Sequence, residues 1–261
     1  MAEGLMLKDM EKHIKENYVG KEVREMRLPE PFPLDWIRIK FYCDGIGDDN
    51  PLFTDPAYGP KTRWGCLIAP PTIISAVRYP QPHSGCFDKP WRVLNFVGGN
   101  ELEWVDVFRA GDRYTTSLVL KDVWMKHGGK GDLLFLIAEG GVWNQHGDLI
   151  GKQDAMQIQV DMPEEATAGE SGYMLYAKEE PYKYSQKEIE EITTAYDAET
   201  QRGSKTLYWD EVNVGDKLPK MARGPLTLLE QITYRGHGLC MAIAWPGTFK
   251  IGYKVGKAQF G

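Results

Sequence analysis

The sequence is poor in the features that mark several large protein classes. Only four cysteines occur in 261 residues: Cys43, Cys66, Cys86 and Cys240. None stands in a CxxC pair, and no histidine spacing completes a zinc set, which argues against a disulfide scaffold and a structural zinc module. The four read as small buried apolar residues with free thiols. No apolar run approaches the ~18 residues of a membrane-spanning helix. Basic runs are equally short, and the formal net charge is −6, so neither a membrane nor a nucleic acid is an expected partner. A phosphate-bearing small molecule stays open, because two or three local cations suffice for it. The opening MAEGLMLKDMEKHIKENY is charged and amphipathic with no apolar h-region, which does not read as a signal peptide. The expectation is a reduced, cytoplasmic protein without a bound metal.

What is present suits a globular chain. A length of 261 residues with 42% hydrophobic and 26% charged side chains can bury one large core or two modest ones. The 28 glycines and 16 prolines follow no period and fit turns between strands. Residues 8 to 18 predict a short helix. The prolines of LPEPFPLD, residues 28 to 35, argue against regular structure there. Apolar residues at Trp36, Ile37, Ile39, Phe41, Tyr42 and Ile46 predict a helix that Gly47 ends. The loop GDDNPLFTDPAYGP follows. From Ile68 to Val77 apolar residues occupy every side, as in a buried helix.

The texture changes near Asn100. ELEWVDVF, RYTTSLVLKDVWMK, DLLFLIAEGGVWN and LIGKQDAMQIQV are long strand-forming runs joined by short Gly, Asp and His segments of hairpin composition. One buried helix before an antiparallel meander is an α+β layout. Residues 161 to 184 read as a linker. Ser185 and Glu188 make a capping-box pattern ahead of a helix reaching about Thr200. Tyr208 opens a new segment that leads into a helix over 227 to 243. The division is thus 1–162, a linker with a helix over 163–207, and a shorter segment over 208–261.

One stretch is specific. Phe41-Tyr42-Cys43-Asp44-Gly45-Ile46-Gly47-Asp48-Asp49-Asn50-Pro51-Leu52-Phe53 resembles the MaoC-like hydratase motif, whose core is Gly-Asp-x-Asn-Pro-x-His. Gly65 to Thr72, GCLIAPPT, is similar to the start of that family's buried helix. The strings GDDNPL and IAPPT resemble the branch called FAS1-like dehydratase domains. The resemblance continues through Gly98-Gly99-Asn100-Glu101 and Arg109-Ala110-Gly111-Asp112, and ends with Asn144 to Ile150. It implies the hot-dog fold, an antiparallel sheet wrapped around a helix, over about residues 9 to 160. It also makes 208–261 look like the opening of a second hot dog, with too few residues to complete one.

The resemblance implies chemistry as well. Family members add or remove water across the 2,3-bond of an acyl-CoA or acyl-carrier thioester. One group takes a proton from water and another delivers one to carbon, tasks that a motif Asp and a motif His share. A backbone N–H must face the charge that builds on the thioester oxygen. Here Asp48 matches the Asp and Asn50 the Asn, but Phe53 stands at the His position and carries no proton. The oxyanion position falls on Pro71, which has no N–H. His83, His146 and His237 are possible substitutes for the missing His. Asp48 is the candidate catalytic residue, although a loop Asp also caps turns. Tyr42, Asn50, Phe53, Arg63 and Trp64 are the candidate substrate-binding residues, with Lys61 beside Arg63 for CoA phosphates. The expected function is a subunit of an enoyl-CoA hydratase or 3-hydroxyacyl-CoA dehydratase. It uses no cofactor beyond the coenzyme A thioester it acts on, and it works with a second MaoC-like hot-dog subunit or as a homo-oligomer. The alternative is a non-catalytic acyl-CoA-binding or scaffold protein.

Overall fold

Period-two burial along the long strands decides which way each one faces. The computed structural model describes residues 7–23, 31–77, 87–88, 91, 93–129, 131–161, 180, 182–219 and 221–234. Most of the expected linker, His83, His237 and the far end of the 227–243 helix lie outside the described residues. By residue number the chain divides into two compact units, 1–35 with 71–180, and 36–70 with 181–261.

In the first unit, β1 (Phe32–Pro33), β2 (Val93–Trp104), β3 (Arg113–Gly128), β4 (Gly131–Trp143) and β5 (Leu149–Asp161) form one antiparallel sheet in the order β1-β3-β4-β5-β2. The short strand at Phe32–Pro33 overturns the expectation that residues 28 to 35 hold no regular structure; it lies at the sheet edge, where proline is tolerated. On β3, Tyr114, Thr116, Leu118 and Leu120 are buried, and then Val123. The change from even to odd positions coincides with a bulge between Leu120 and Asp122. The extra residue, Lys121, leaves Asp122 exposed. Strict alternation would have buried its carboxylate. Across the sheet, Leu134, Leu136 and Ala138 of β4 stand opposite Gln159, Gln157 and Ala155 of β5. Two amide pairs tie β5 to the edge strand β2: Gln153 Nε2 donates to Asn100 Oδ1 at 3.1 Å, and Gln159 Nε2 to Asn95 Oδ1 at 3.0 Å.

Helix α1 (Leu7–Asn17) buries Leu7, Met10 and Ile14, the one face that i, i+3, i+7 spacing produces. These pack with Phe87, Trp91 and Val93 on the apolar face of β3 and β4. Asp88 fastens the edge of this cover. Its carboxylate meets His13 Nε2 at 2.8 Å and its N–H donates to Tyr18 Oη at 3.1 Å.

The helix read from Ile68 starts later than expected. Pro71–Ile73 form a 3-10 turn that runs into the single turn α4 (Ile74–Val77). Ala69 and Pro70 each precede a proline, which drives them out of the helical region. A Cβ on Gly151 would lie 2.9 Å from Ile74 Cδ1. The turn therefore packs on the β5 face that also carries Ala155. Bulges at Val97/Gly99, Leu120/Asp122 and Val142/Trp143 add twist to the sheet. A curled antiparallel sheet with helix on its inner face is the α+β hot-dog arrangement. The first long strand also differs from its sequence reading, running from Val93 to Trp104. Past it, Val105 and Asp106 both turn their N–H groups onto Ile150 O, at 2.9 and 3.1 Å.

The second unit holds α2 (Trp36–Ile46), α3 (Pro51–Thr54), α5 (Gln186–Ala198) and α6 (Leu228–Thr233). Helix α5 opens with the expected box: Glu188 N–H donates to Ser185 Oγ at 3.3 Å, and Ser185 N–H to the Glu188 carboxylate at 2.7 Å. Tyr196, buried on α5, donates its hydroxyl to Gly224 O. Thr227 Oγ1 caps α6 by accepting from Glu230 N–H at 3.1 Å. Between Leu207 and Tyr234 the described residues contain no strand. This stretch exposes much of its apolar surface, with Trp209 at 94% and Leu218 at 88%. No helix among the described residues is long and apolar enough to cross a membrane.

Candidate active site

All six candidate residues lie between positions 42 and 64 of the second unit. Helix α2 buries Ile39, Tyr42 and Cys43, so Tyr42 faces inward. Its neighbours Lys40 and Asp44 form an ion pair one helical turn apart. The helix stops because Gly47 takes the left-handed conformation, φ 69°, which glycine enters at no steric cost. The reversal lets Asp48 N–H close onto Cys43 O at 2.8 Å.

The Gly-Asp-x-Asn-Pro motif then builds itself from local hydrogen bonds. The Asp48 carboxylate accepts Asn50 N–H at 3.0 Å. Asn50 is the N-cap of α3, its Oδ1 accepting Leu52 N–H at 3.0 Å. Pro51 follows at the first helical position, where its fixed φ fits and no N–H is missed. The Asn50 carbonyl accepts from Phe53 N–H at 3.0 Å and Thr54 N–H at 3.1 Å. Asn50 thus carries the structural role that its residue type suggests. Phe53, half-buried on the same turn, offers a ring where the motif offers an imidazole. From further along the chain, Gln201 Nε2 donates to Asp49 O at 3.3 Å.

Cys43 lies under this loop. Burial pushes its thiol above the ordinary range, and the nearby Asp48 and Asp44 carboxylates push it further. It is no thiolate nucleophile. Among the described residues no three His, Cys, Asp or Glu side chains stand together as metal ligands.

The loop after α3 is pinned by its own turns. Asp55 Oδ1 accepts Ala57 N–H at 2.8 Å, and Thr62 Oγ1 donates to Gly59 O at 2.7 Å. At Gly59 the chain touches its own return: a Cβ there would lie 2.5 Å from Cys66 O and 2.6 Å from Leu67 Cα. The loop ends in a stacked pair, with Arg63 Cζ 4.5 Å from the centroid of the Trp64 ring. Lys61 and Arg63 are exposed and Trp64 is half-exposed.

The structure therefore joins Asp48 to Asn50, Asn50 to Phe53 and Arg63 to Trp64. Pro71 belongs to the first unit, where its carbonyl accepts Trp104 Nε1–H at 2.9 Å, and it presents no N–H. His146 is exposed in the β4–β5 turn, where its N–H donates to Asn144 Oδ1 at 2.9 Å. The Lys40–Asp44 pair escaped the sequence reading, although i, i+4 spacing of opposite charges on a helix signals it. The Gln201–Asp49 contact spans 152 residues and leaves no local signal.

The chain is similar to known proteins in sequence and in fold. The family profile described as FAS1-like, dehydratase domain region matches residues 24–153. The UPF0336 protein of Thermobifida fusca (strain YX) is 39% identical over 114 residues, which make up 42% of this chain and 72% of that protein. The UPF0336 protein of Streptomyces avermitilis is 25% identical over 112 residues, 41% of this chain and 72% of that protein. A solved MaoC-like dehydratase is similar in fold with a TM-score of 0.55. At 14% identity, that match covers 94% of this chain and 78% of the other.

Proposed function

The chain belongs to the FAS1-like dehydratase family, and on that premise we propose that it is one subunit of a hydro-lyase. The enzyme would add or remove water across the 2,3-bond of an acyl-CoA thioester. Asp48, oriented by Asn50 N–H, handles the proton of water. Tyr42, Asn50 and Phe53 line the acyl side. A partner hot-dog subunit supplies the second proton-transfer group and the oxyanion N–H.

The observation that carries this reading is the pair of substitutions at the motif. Phe53 cannot transfer a proton and Pro71 cannot donate to an oxyanion. A second copy of the same chain brings the same Phe53 and the same Pro71, so self-association does not complete the site. A different hot-dog chain can. The apolar surface exposed between Leu207 and Tyr234 supports such a partner, since uncovered apolar area of this kind marks an association surface.

The test is turnover of a short enoyl-CoA by the purified chain alone and by the chain with a co-eluting hot-dog protein from its native host. Loss of an acid–base partner and of an oxyanion donor each cost about two to four orders of magnitude. The chain alone is therefore expected to be slow and the complex fast. Turnover above roughly 10 per second by the chain alone, an ordinary enzyme rate, would overturn the proposal. The ring at Phe53 also favours a second reading, a non-catalytic acyl-CoA-binding or scaffold subunit. That reading predicts a complex that binds the thioester and leaves it unchanged.

A further inference from the structure

The loop between α3 and the 3-10 turn at Pro71 presents an unusual combination for an acidic chain. Two cations, Lys61 and Arg63, stand exposed two residues apart. Neither forms an ion pair with a carboxylate among the described residues. The backbone that carries them is held by its own turns. Gly65 N–H donates to Thr62 O at 3.1 Å and Lys61 N–H to Tyr58 O at 3.0 Å. Trp64 N–H donates to Thr62 Oγ1 at 3.3 Å. The close approach at Gly59 fixes the base of the loop. On this frame the Arg63 guanidinium lies 4.5 Å above the Trp64 ring.

Stacking has a chemical consequence. A guanidinium lying on an indole uses its π-face and keeps its in-plane N–H donors for another partner. Those donors form a planar fork that matches two oxygens of one phosphate. Lys61 adds a compact charge that suits a second phosphate without demanding a particular angle. An Arg fork held over a ring, a nearby Lys and no carboxylate paired with either among the described residues describe an oligophosphate site better than a solvated surface.

We propose that Lys61, Arg63 and Trp64 bind the phosphates of the nucleotide end of coenzyme A, holding the handle of the substrate rather than its reacting bond. This rests on the acyl-CoA reading above, and its test does not require turnover. The chemistry recognised is a nucleotide diphosphate, which a free nucleotide also carries. Coenzyme A is distinguished by its additional 3′-phosphate.

The experiment is calorimetric titration of the intact chain, and of its complex where one forms, with coenzyme A, ADP and pantetheine. Lys61→Ala/Arg63→Ala and the conservative Arg63→Lys are compared with the natural sequence, and the thermal transition of each variant monitors folding. Coenzyme A is expected to bind more tightly than ADP, with affinity that falls steeply with salt. The double alanine variant should lose about tenfold or more in coenzyme A affinity, the scale of one to two charge-assisted bonds. Pantetheine binding should not follow that loss. Arg63→Lys should recover only part of it, because lysine neither stacks nor forks. Equal affinity for ADP and coenzyme A would assign the site to free nucleotides and overturn the proposal. So would the absence of coenzyme A binding, or an equal loss for pantetheine, which would mean the loop acts through folding. If coenzyme A binds through this loop while the complex with the partner subunit turns over no enoyl-CoA, the phosphate site stands and the hydro-lyase reading falls.

Discussion

Asn50 donates its backbone N–H to the carboxylate of Asp48 at 3.0 Å, so the acid that the motif offers for chemistry also shapes the loop that presents it. The two duties separate by substitution. Asp48→Asn keeps an acceptor for that N–H and removes the charge. It is expected to hold stability to within about 0.5 kcal/mol while lowering turnover of the assembled enzyme about 10²–10³-fold. Asp48→Ala removes both and should cost a further ~1 kcal/mol. Thermal melts and enoyl-CoA turnover of the two variants measure this. Full activity in Asp48→Asn would exclude the carboxylate from the reaction.

Gly59 carries a second prediction. Its α-carbon approaches the returning chain so closely that a methyl group would fall 2.6 Å from Leu67 Cα. The obstacle is backbone and cannot rotate away. Gly59→Ala should destabilise the protein by about 1–3 kcal/mol, the range for overpacking, despite an alanine's lower unfolded-state entropy. Chemical denaturation reads it. A neutral effect would mean that the loop is loose.

Much of this architecture was legible in the sequence, and the exceptions have physical causes. The three hairpin strands from Arg113 to Asp161 could be read because alternation and turn residues are local. So could α2, which Gly47 ends, and the Ser185–Glu188 cap. Helical structure begins at the 3-10 turn of Pro71, three residues after Ile68, and α4 itself only at Ile74, because Pro70 and Pro71 restrict their predecessors more strongly than apolar character favours a helix. The bulge at Lys121 reads in the sequence only as a lapse in alternation. At the candidate site, Asn50 ahead of Pro51 is a local helix-start pattern, although the motif alone puts Asn50 among the substrate-binding candidates. The roles of Arg63 and Trp64 were less legible, since stacking depends on how the loop closes at Gly59, a contact with residues seven and eight positions on.

The ion pair of Asp106 and Arg109 gives a pH prediction. Arg109 Nη1 donates to Asp106 Oδ2 at 2.8 Å and Nη2 to Oδ1 at 3.2 Å. Mainly for that reason the Asp106 carboxyl sits below the ordinary carboxylate range. A folded pKa below the unfolded one means stability that is fully present above the unfolded value and is lost as pH falls through the folded value. Denaturation of the natural chain and of Asp106→Asn should therefore differ near neutrality and converge in acid. A gap that stays constant across that window would show that Asp106 acts without its charge.

Deleting residues 205–261 tests the association surface. The natural chain should elute with its hot-dog partner or as a larger species. The truncated chain should lose that assembly in light scattering. If size and partners survive, the segment is a tail and the partner surface lies elsewhere.

The exposed run from Leu207 to Tyr234 also has a consequence for how much of this protein a cell can keep. Whatever binds a folded chain and not its unfolded form raises apparent stability with concentration. On the two-subunit proposal, a chain that exposes this apolar surface is governed by mass action. Copies made in excess of the partner carry uncovered Trp209, Leu218 and Leu228 into the reach of chaperones and proteases. The abundance of the chain should follow the dosage of its partner, and stoichiometry would be set by removal of the unpaired subunit after synthesis.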